Sequence, residues 1–295
     1  MTPAMIHKAH RPCGLPTPKE FMSTRKRRDI PRFQTPLIET HCHLDYLDDS
    51  EIAEAIAQAQ DCGIEKLVTI AVSPDNLATV MTLIERHPAV WGTQGIHPHE
   101  AEHFSAEVAR RISENLQHPR VLAVGEIGLD YYYDHADRGR QREVFREQLQ
   151  IAADNDLPVV IHSREADEDT QRILEDFLPT LSRRGVIHSF TSGPALAEFC
   201  LEAGFMLGFN GIVTFKSAEN VRDIVAMTPV ERILLETDSP YLTPVPYRGR
   251  PNSPRYLPFV AEKVAEIKGL DVESLLQQAR RNSEALLFSN SGTEA

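Results

Sequence analysis

The chain has 295 residues, 41% of them hydrophobic, and a formal net charge of −12; this suits one large globular domain or two small ones and argues against disorder of the whole. The negative balance works against broad adhesion to nucleic acid, which depends on clustered positive charge, so a nucleic-acid substrate would need local help such as bound cations. No apolar run approaches the roughly 20 residues that span a bilayer, no apolar core follows the N-terminal charges, and Cys13, Cys42, Cys62 and Cys200 show no CxxC spacing: a cytoplasmic protein with reduced thiols is expected.

Residues 1–34 hold eight basic and two acidic residues, a net of +6, which leaves −18 for the remainder. They are expected to form a basic, flexible N-terminal extension, either an arm that touches nucleic acid or a leader outside the folded unit.

From Pro36 onward, short runs rich in Val, Ile and Leu alternate with longer segments of helical period, the pattern of βαβ units. Eight runs are expected as strands: Leu37 to His41, Lys66 to Val72, Val90 to His97, Val121 to Ile127, Pro158 to His162, Gly185 to His188, Phe205 to Asn210 and Ile233 to Asp238. Ser73-Pro74 is expected to open a helix whose Leu77, Val80, Met81 and Ile84 share one face. Arg138 to Asp156 repeats the pattern, Gly63 and Gly204 end two further helices, and Val272 to Phe288 is expected as a helical stretch packed outside the sheet. Eight strands with helical connections predict an α/β fold, a (β/α)8 TIM barrel over residues 35–290. No Gly-rich phosphate fingerprint follows the first run, which disfavours an open doubly wound sheet.

His41 and His43 sit two apart at the end of the first strand, where a period of two puts both imidazoles on one face and turns Cys42 away. Alone, such a pair is a weak metal signal. Its weight comes from Glu126 in GEIGLD, His162 in VVIHS, His188 in GVIHSF and Asp238 in LLETD, each at the end of an apolar run. In a barrel these positions converge on the C-terminal mouth, and as mere scaffold each would need its own partner against the cost of burial.

Four imidazoles and two carboxylates suffice for two divalent ions, Zn, Mn or Mg, with positions left for water. Glu126, with two oxygens, is the natural bridge, and Asp238 can bind metal or accept the proton of the attacking water. Around the same mouth, His97 and His99 of GIHPH are candidates for substrate phosphate, for groups behind the ligands, or for structural hydrogen bonds. Arg164 can bind phosphate bidentately or orient a carboxylate. Glu236 can orient a ligand histidine, and the run Tyr131 to Tyr133 can stack on a base or pack in the core. The loop holding Arg248 and Asn252 is a candidate phosphate contact.

The blocks ETHCHLD, GIHPH, GEIGLDYY, VIHSREA, IHSFTSG, LLETDSPYL and YRGRPNSP, in this order across residues 37–288, resemble the TatD family of metal-dependent deoxyribonucleases. The resemblance implies a metallo-dependent hydrolase barrel of the amidohydrolase type and cleavage of DNA phosphodiesters, often as a 3′–5′ exonuclease on single strands. It also implies one ion held by His41, His43, Glu126 and Asp238, and a second held by Glu126, His162 and His188. Two positions depart from the family pattern: Ser253 stands where many relatives have Glu, and Ser189 where Cys is common after the histidine. Because activated water also attacks carbonyls, the alternative is a metal-dependent deacylase or amidohydrolase, such as one acting on misacylated aminoacyl-tRNA.

Overall fold

In the computed structural model, which describes residues 27–289, each of the eight apolar runs overlaps a parallel strand. They are β1 (Leu37–Cys42), β2 (Ile64–Thr69), β3 (Val90–Gln94), β4 (Val121–Asp130), β5 (Val159–Arg164), β6 (Gly185–Ile187), β7 (Met206–Phe209) and β8 (Ile233–Leu235). Each strand pairs with the next in sequence order. The ring closes between the end of β1 and the segment after β8, where Asp238 N–H donates to the His41 carbonyl and His43 N–H to the Ser239 carbonyl, both at 2.9 Å. Nine helices in the described residues connect and flank the strands: α1 (Asp49–Asp61), α2 (Leu77–Arg86), α3 (Ala106–Asn115), α4 (Arg138–Asp154), α5 (Asp167–Phe177), α6 (Pro194–Glu202), α7 (Glu219–Met227), α8 (Leu257–Lys268) and α9 (Val272–Ser283). The architecture is a (β/α)8 barrel.

Several strands stop short of the polar residue expected to end them. β6 ends one residue before His188, and β8 ends three before Asp238. The reason lies in the backbone: Thr237 N–H donates to the Glu39 carboxyl at 2.9 Å, and Asp238 adopts a φ of 55°, so the chain leaves strand geometry before reaching the mouth. β4 differs in the other direction and continues to Asp130, with all ten residues buried. Gly128 makes this possible: its φ is 134° and an added Cβ would lie 2.0 Å from the His162 carbonyl oxygen of β5. Helix α2 starts at Leu77 rather than at Ser73-Pro74, because the Asn76 side chain accepts from Val72 and Ser73 N–H at 3.0 Å and holds those residues in a turn.

The interior of the barrel is divided. Near the start of the strands it is apolar, with Ile38, Leu122, Val160, Val186, Met206 and Leu234 in one cluster. Helix α9 lies outside against β1 and β8 as expected. The turn that follows it, Glu284–Phe288, does not: Leu286, Leu287 and Phe288 join the inner cluster and plug that end of the barrel. The expectation that the whole C-terminal stretch packs outside is therefore corrected, because a barrel bottom lined by apolar side chains must be covered. Asn282 fixes the approach of this turn by donating to the carbonyls of Val230 and Ile233 at 2.8 and 2.9 Å.

Residues 1–26 of the basic extension lie outside the described residues. Residues 27–34 lie against the barrel: Arg28 pairs with Glu262 of α8, Arg27 sits over the Tyr247 ring, and the N–H groups of Gln34 and Thr35 donate to Glu273 at the start of α9. Among the described residues no helix is long and apolar enough to cross a membrane.

Removing the plug should be costly. Leu287→Ala is expected to lower stability by about 2–5 kcal/mol, the usual cost of a large-to-small change in a core. It would be read as a lower urea midpoint with unchanged slope; an unaltered midpoint would mean that the turn does not seal the barrel.

Candidate metal centre

The other end of the barrel interior is polar. Glu126, 3% exposed, projects from a bulge in β4. Its Oε1 lies 2.7 Å from His188 Nε2, 3.2 Å from His162 Nδ1 and 3.5 Å from His97 Nε2, while its Oε2 lies 3.5 Å from His41 Nε2. Asp238 Oδ1 is 3.4 Å from His43 Nε2 and 3.7 Å from His41 Nε2. The His41 and His188 rings stack at 3.9 Å.

Three sets of donor atoms lie within 4.8 Å of one another: His41, His43 and Glu126; His41, His188 and Asp238; and His97, Glu126 and His162. The six residues expected as ligands are thus brought together from β4 and β5, from the end of β1 and the residue after it, and from the segments after β6 and β8. His97 joins them, while His99 sits one step back.

Two tests bear on whether a cation fits. Both ring nitrogens of His41 are buried without a hydrogen-bond partner, as is Nδ1 of His43, a costly state for imidazoles unless an ion completes them. Donors about 2.1 Å from a tetrahedral zinc ion stand about 3.4 Å apart, close to the spacings of 3.4 to 3.7 Å between His41, His43, Glu126 and Asp238. The donor set of imidazole and carboxylate suits a divalent transition ion. Ionisation favours the same reading. Burial works against the charge on Glu126, yet His188 and the hydrogen bonds from His162 and His188 hold its carboxyl well below the usual range. Burial drives His97 well below its ordinary value, so its ring stays neutral and able to ligate.

The family model for TatD related DNases matches residues 38–288. The chain belongs to the TatD family. YabD of Bacillus subtilis, described as a metal-dependent hydrolase, is 35% identical over 255 residues, 86% of this chain and all of that protein. A protein of Erwinia amylovora named 3′–5′ ssDNA/RNA exonuclease TatD is 35% identical over 239 residues, 79% of this chain and 92% of its own length. The crystal structure of YJJV, a TatD homologue from Escherichia coli, superimposes with a TM-score of 0.81 at 30% identity, covering 85% of this chain and 98% of that one. The chain is a metal-dependent hydrolase of the TatD family.

Residues behind the donors fix their orientation, and several were not singled out from the sequence. Asp130, four residues past Glu126 on the same strand, places Oδ2 2.9 Å from His162 Nε2 and 3.1 Å from His99 Nε2. Its Oδ1 accepts from the N–H groups of Tyr132 and Tyr133. Burial opposes the Asp130 charge, but hydrogen bonds from His162 and His99 hold its pKa far down. A histidine whose far nitrogen meets a carboxylate is the usual support for a metal ligand. The available signal was the spacing: residues 126 and 130 are an even number apart on one strand.

Glu236 stands behind His188, with Oε1 3.6 Å from His188 Nδ1, and accepts from Ser189 N–H at 2.6 Å and Asn210 Nδ2 at 3.4 Å. Gly208 makes room for it, since a Cβ there would lie 2.5 Å from Glu236 Oε2. Glu39 lies buried two residues before His41 and ties β1 to Thr237; burial pushes its carboxyl up to about 8, which keeps it mostly neutral at pH 7. Two buried glutamines of α4 hold the loops. Gln141 accepts from Asp130 N–H and donates to the Asp130 carbonyl, and Gln148 does the same for Ile96, just before His97. Helix period gave no hint that these polar residues face inward.

The remaining expected residues divide. Arg164 lies over the rings of Tyr132 and Tyr133 at 4.2 and 4.9 Å, beside a cleft of about 580 Å³ lined also by Tyr131, Thr191 and Ser192. Tyr131 donates to Asp169 and is partly buried, so its ring is less free to stack than those of its two neighbours. Arg248 lies over Phe215 at 4.1 Å. Asn252 is buried, and its amide donates to the carbonyls of Thr237 and Tyr241. It pins the loop after β8 and has no amide hydrogen left for a substrate.

Removing the carboxylate charge behind His162 is expected to weaken metal binding. Asp130→Asn should reduce affinity by about 10- to 100-fold in a competitive chelator titration of the demetallated chain, with an unchanged circular dichroism spectrum. Equal affinities would show that His162 is oriented by other contacts.

Proposed function

We propose that this chain is a divalent-metal-dependent nuclease that hydrolyses DNA phosphodiester bonds, working as a 3′–5′ exonuclease on single strands through two ions. The observation that carries the two-ion reading is the division of Glu126: one oxygen faces His41, the other faces His188, His162 and His97. One ion would be held by His41, His43, Glu126 and Asp238, the other by Glu126, His162 and His188, with His97 adjacent. Support for DNA as substrate comes from the DNase family model and the exonuclease named above.

Divalent ions, when bound, lower the pKa of a water and neutralise charge on the phosphate oxygens. The protein supplies the rest. Burial opposes ionising Asp238, but His43, His41 and His188 hold its pKa below the usual carboxylate value, so it enters the reaction as an anion able to accept the proton of the attacking water. Arg164, at the rim and carried on the tyrosine rings, offers a guanidinium to a phosphate. Asp130 and Glu236 keep His162 and His188 in place.

End-labelled single-stranded DNA incubated with the purified chain and Mg, Mn or Zn should be shortened stepwise from its 3′ end. Chelator should abolish cleavage, and Asp238→Ala should lower the rate by at least about 100-fold, the scale of losing a positioned proton acceptor. Activity that survives both would mark a contaminant. Intact DNA beside deacylated aminoacyl-tRNA in the same assay would reassign the bond to an ester.

A further inference from the structure

Among the described residues, the exposed large aromatic side chains are Tyr46, Tyr132, Tyr133 and Tyr241, at 49%, 53%, 50% and 48%. A lone exposed aromatic on a surface needs no explanation. These four, however, all lie on connections leaving the strand ends that carry the metal-centre residues. Tyr46 ends the short turn Leu44–Tyr46 after β1, Tyr132 and Tyr133 follow β4, and Tyr241 lies in the loop after β8. In the closed ring the β8–β1 junction and the β4–β5 pair stand half a turn apart. The four rings therefore form two pairs on opposite sides of the metal centre.

Each pair is held in place. Tyr46 stacks on His43 at 5.2 Å and meets Tyr241 edge-on at 6.1 Å. Tyr132 and Tyr133 meet edge-on at 4.9 Å, with the Arg164 guanidinium over both, and their backbone N–H groups are fixed by Asp130. Tyr133 also stacks on His135 at 5.8 Å. Half-exposed rings fixed by their neighbours lose little freedom when a second flat ring lies on them.

We propose that these two pairs are base-stacking platforms that grip unpaired bases on either side of the scissile phosphate, and that they give the enzyme its preference for single-stranded ends. The proposal rests on the nuclease reading above and adds the residues that choose the substrate. Every base has a π-face, so such platforms tolerate any sequence, and Arg164 adds a cation–π contact. In a duplex both faces of each interior base are covered by its neighbours and only the terminal pair shows one free face, so gripping bases on both sides of the cleaved bond requires unpaired bases. The net charge of −12 makes stacking more valuable here, because general attraction to phosphate is weak.

The test uses the full chain with Mn and a short single-stranded oligodeoxynucleotide, intact or with abasic sites flanking the cleaved bond. Tyr132→Ala with Tyr133→Ala, and separately Tyr241→Ala, should raise KM for the intact strand by roughly 5- to 150-fold, the range measured for a lost base–aromatic stack. Phenylalanine at the same positions should restore it, since stacking needs the ring and not the hydroxyl. Abasic sites should raise KM of the wild type by a similar factor, and combining them with the alanine variants should add little. A 2-aminopurine placed beside the cleaved bond should be quenched by the wild type and the phenylalanine variants but not by the alanine variants.

Cleavage of the intact strand with unchanged KM in the alanine variants, fully additive losses, or equal KM for single-stranded and duplex DNA would overturn the platforms and leave the nuclease reading standing. A wild type that cleaves no DNA with Mg, Mn or Zn would overturn the nuclease reading, and the platforms with it. The abasic arm on the wild type needs no variant, so a poorly folding mutant does not remove the test.

Discussion

The site is organised around one buried carboxylate. Glu126 is almost wholly removed from water and is surrounded by the side-chain nitrogens of His41, His97, His162 and His188. An isolated carboxylate in such a place would be protonated or would unfold its surroundings. It is tolerated because groups that can carry or bind positive charge stand on both of its oxygens, and the unpartnered nitrogens of His41 and His43 point to cations as the groups that complete the balance. The supporting carboxylates Asp130 and Glu236 make sense only in relation to this centre, since each stands behind an imidazole that faces Glu126.

The barrel makes such a centre affordable by separating two environments along one axis. Its lower interior is apolar and sealed by Leu286, Leu287 and Phe288, so the hydrophobic contacts that hold the strands together do not depend on the polar mouth. At the upper end the strands stop early or bulge, which releases backbone groups that must then be satisfied individually. Gln141 and Gln148 of α4, Asn210 and Asn252 perform that task, each fixing the backbone of a segment that carries or borders the site. The positions of the site residues thus depend on buried amides, two of them carried on helix α4 and two on the loops themselves.

Charge is unevenly distributed along the chain. Residues 35–295 carry a net charge of −18. Positive charge at the mouth comes from Arg164, carried by tyrosine rings, and from Arg248, carried by Phe215, together with whatever ions the imidazoles hold. The described end of the basic extension docks beside the loop after β8 through Arg27 and Arg28, so its charge reaches the barrel close to a loop that borders the mouth.

Much of this was legible in the sequence. The alternation of apolar runs with helical period marked eight strands and the barrel, because burial on both faces leaves a trace that survives without neighbours, and residues at or just past the ends of those runs are the six that the structure brings together around Glu126. Contacts across the fold were not legible: the spacing of Asp130 from Glu126 hinted at a shared face but not at His162 as its partner, and nothing marked the inward-facing Gln141 and Gln148, the plug after α9, or the pairing of Tyr46 with Tyr241, which are 195 positions apart. Periodicity reports which face of an element is buried, but it carries no information on which distant group that face will meet. The kind of centre was therefore written locally, in strand ends, while its orientation, support and rim were decided by the closing of the barrel.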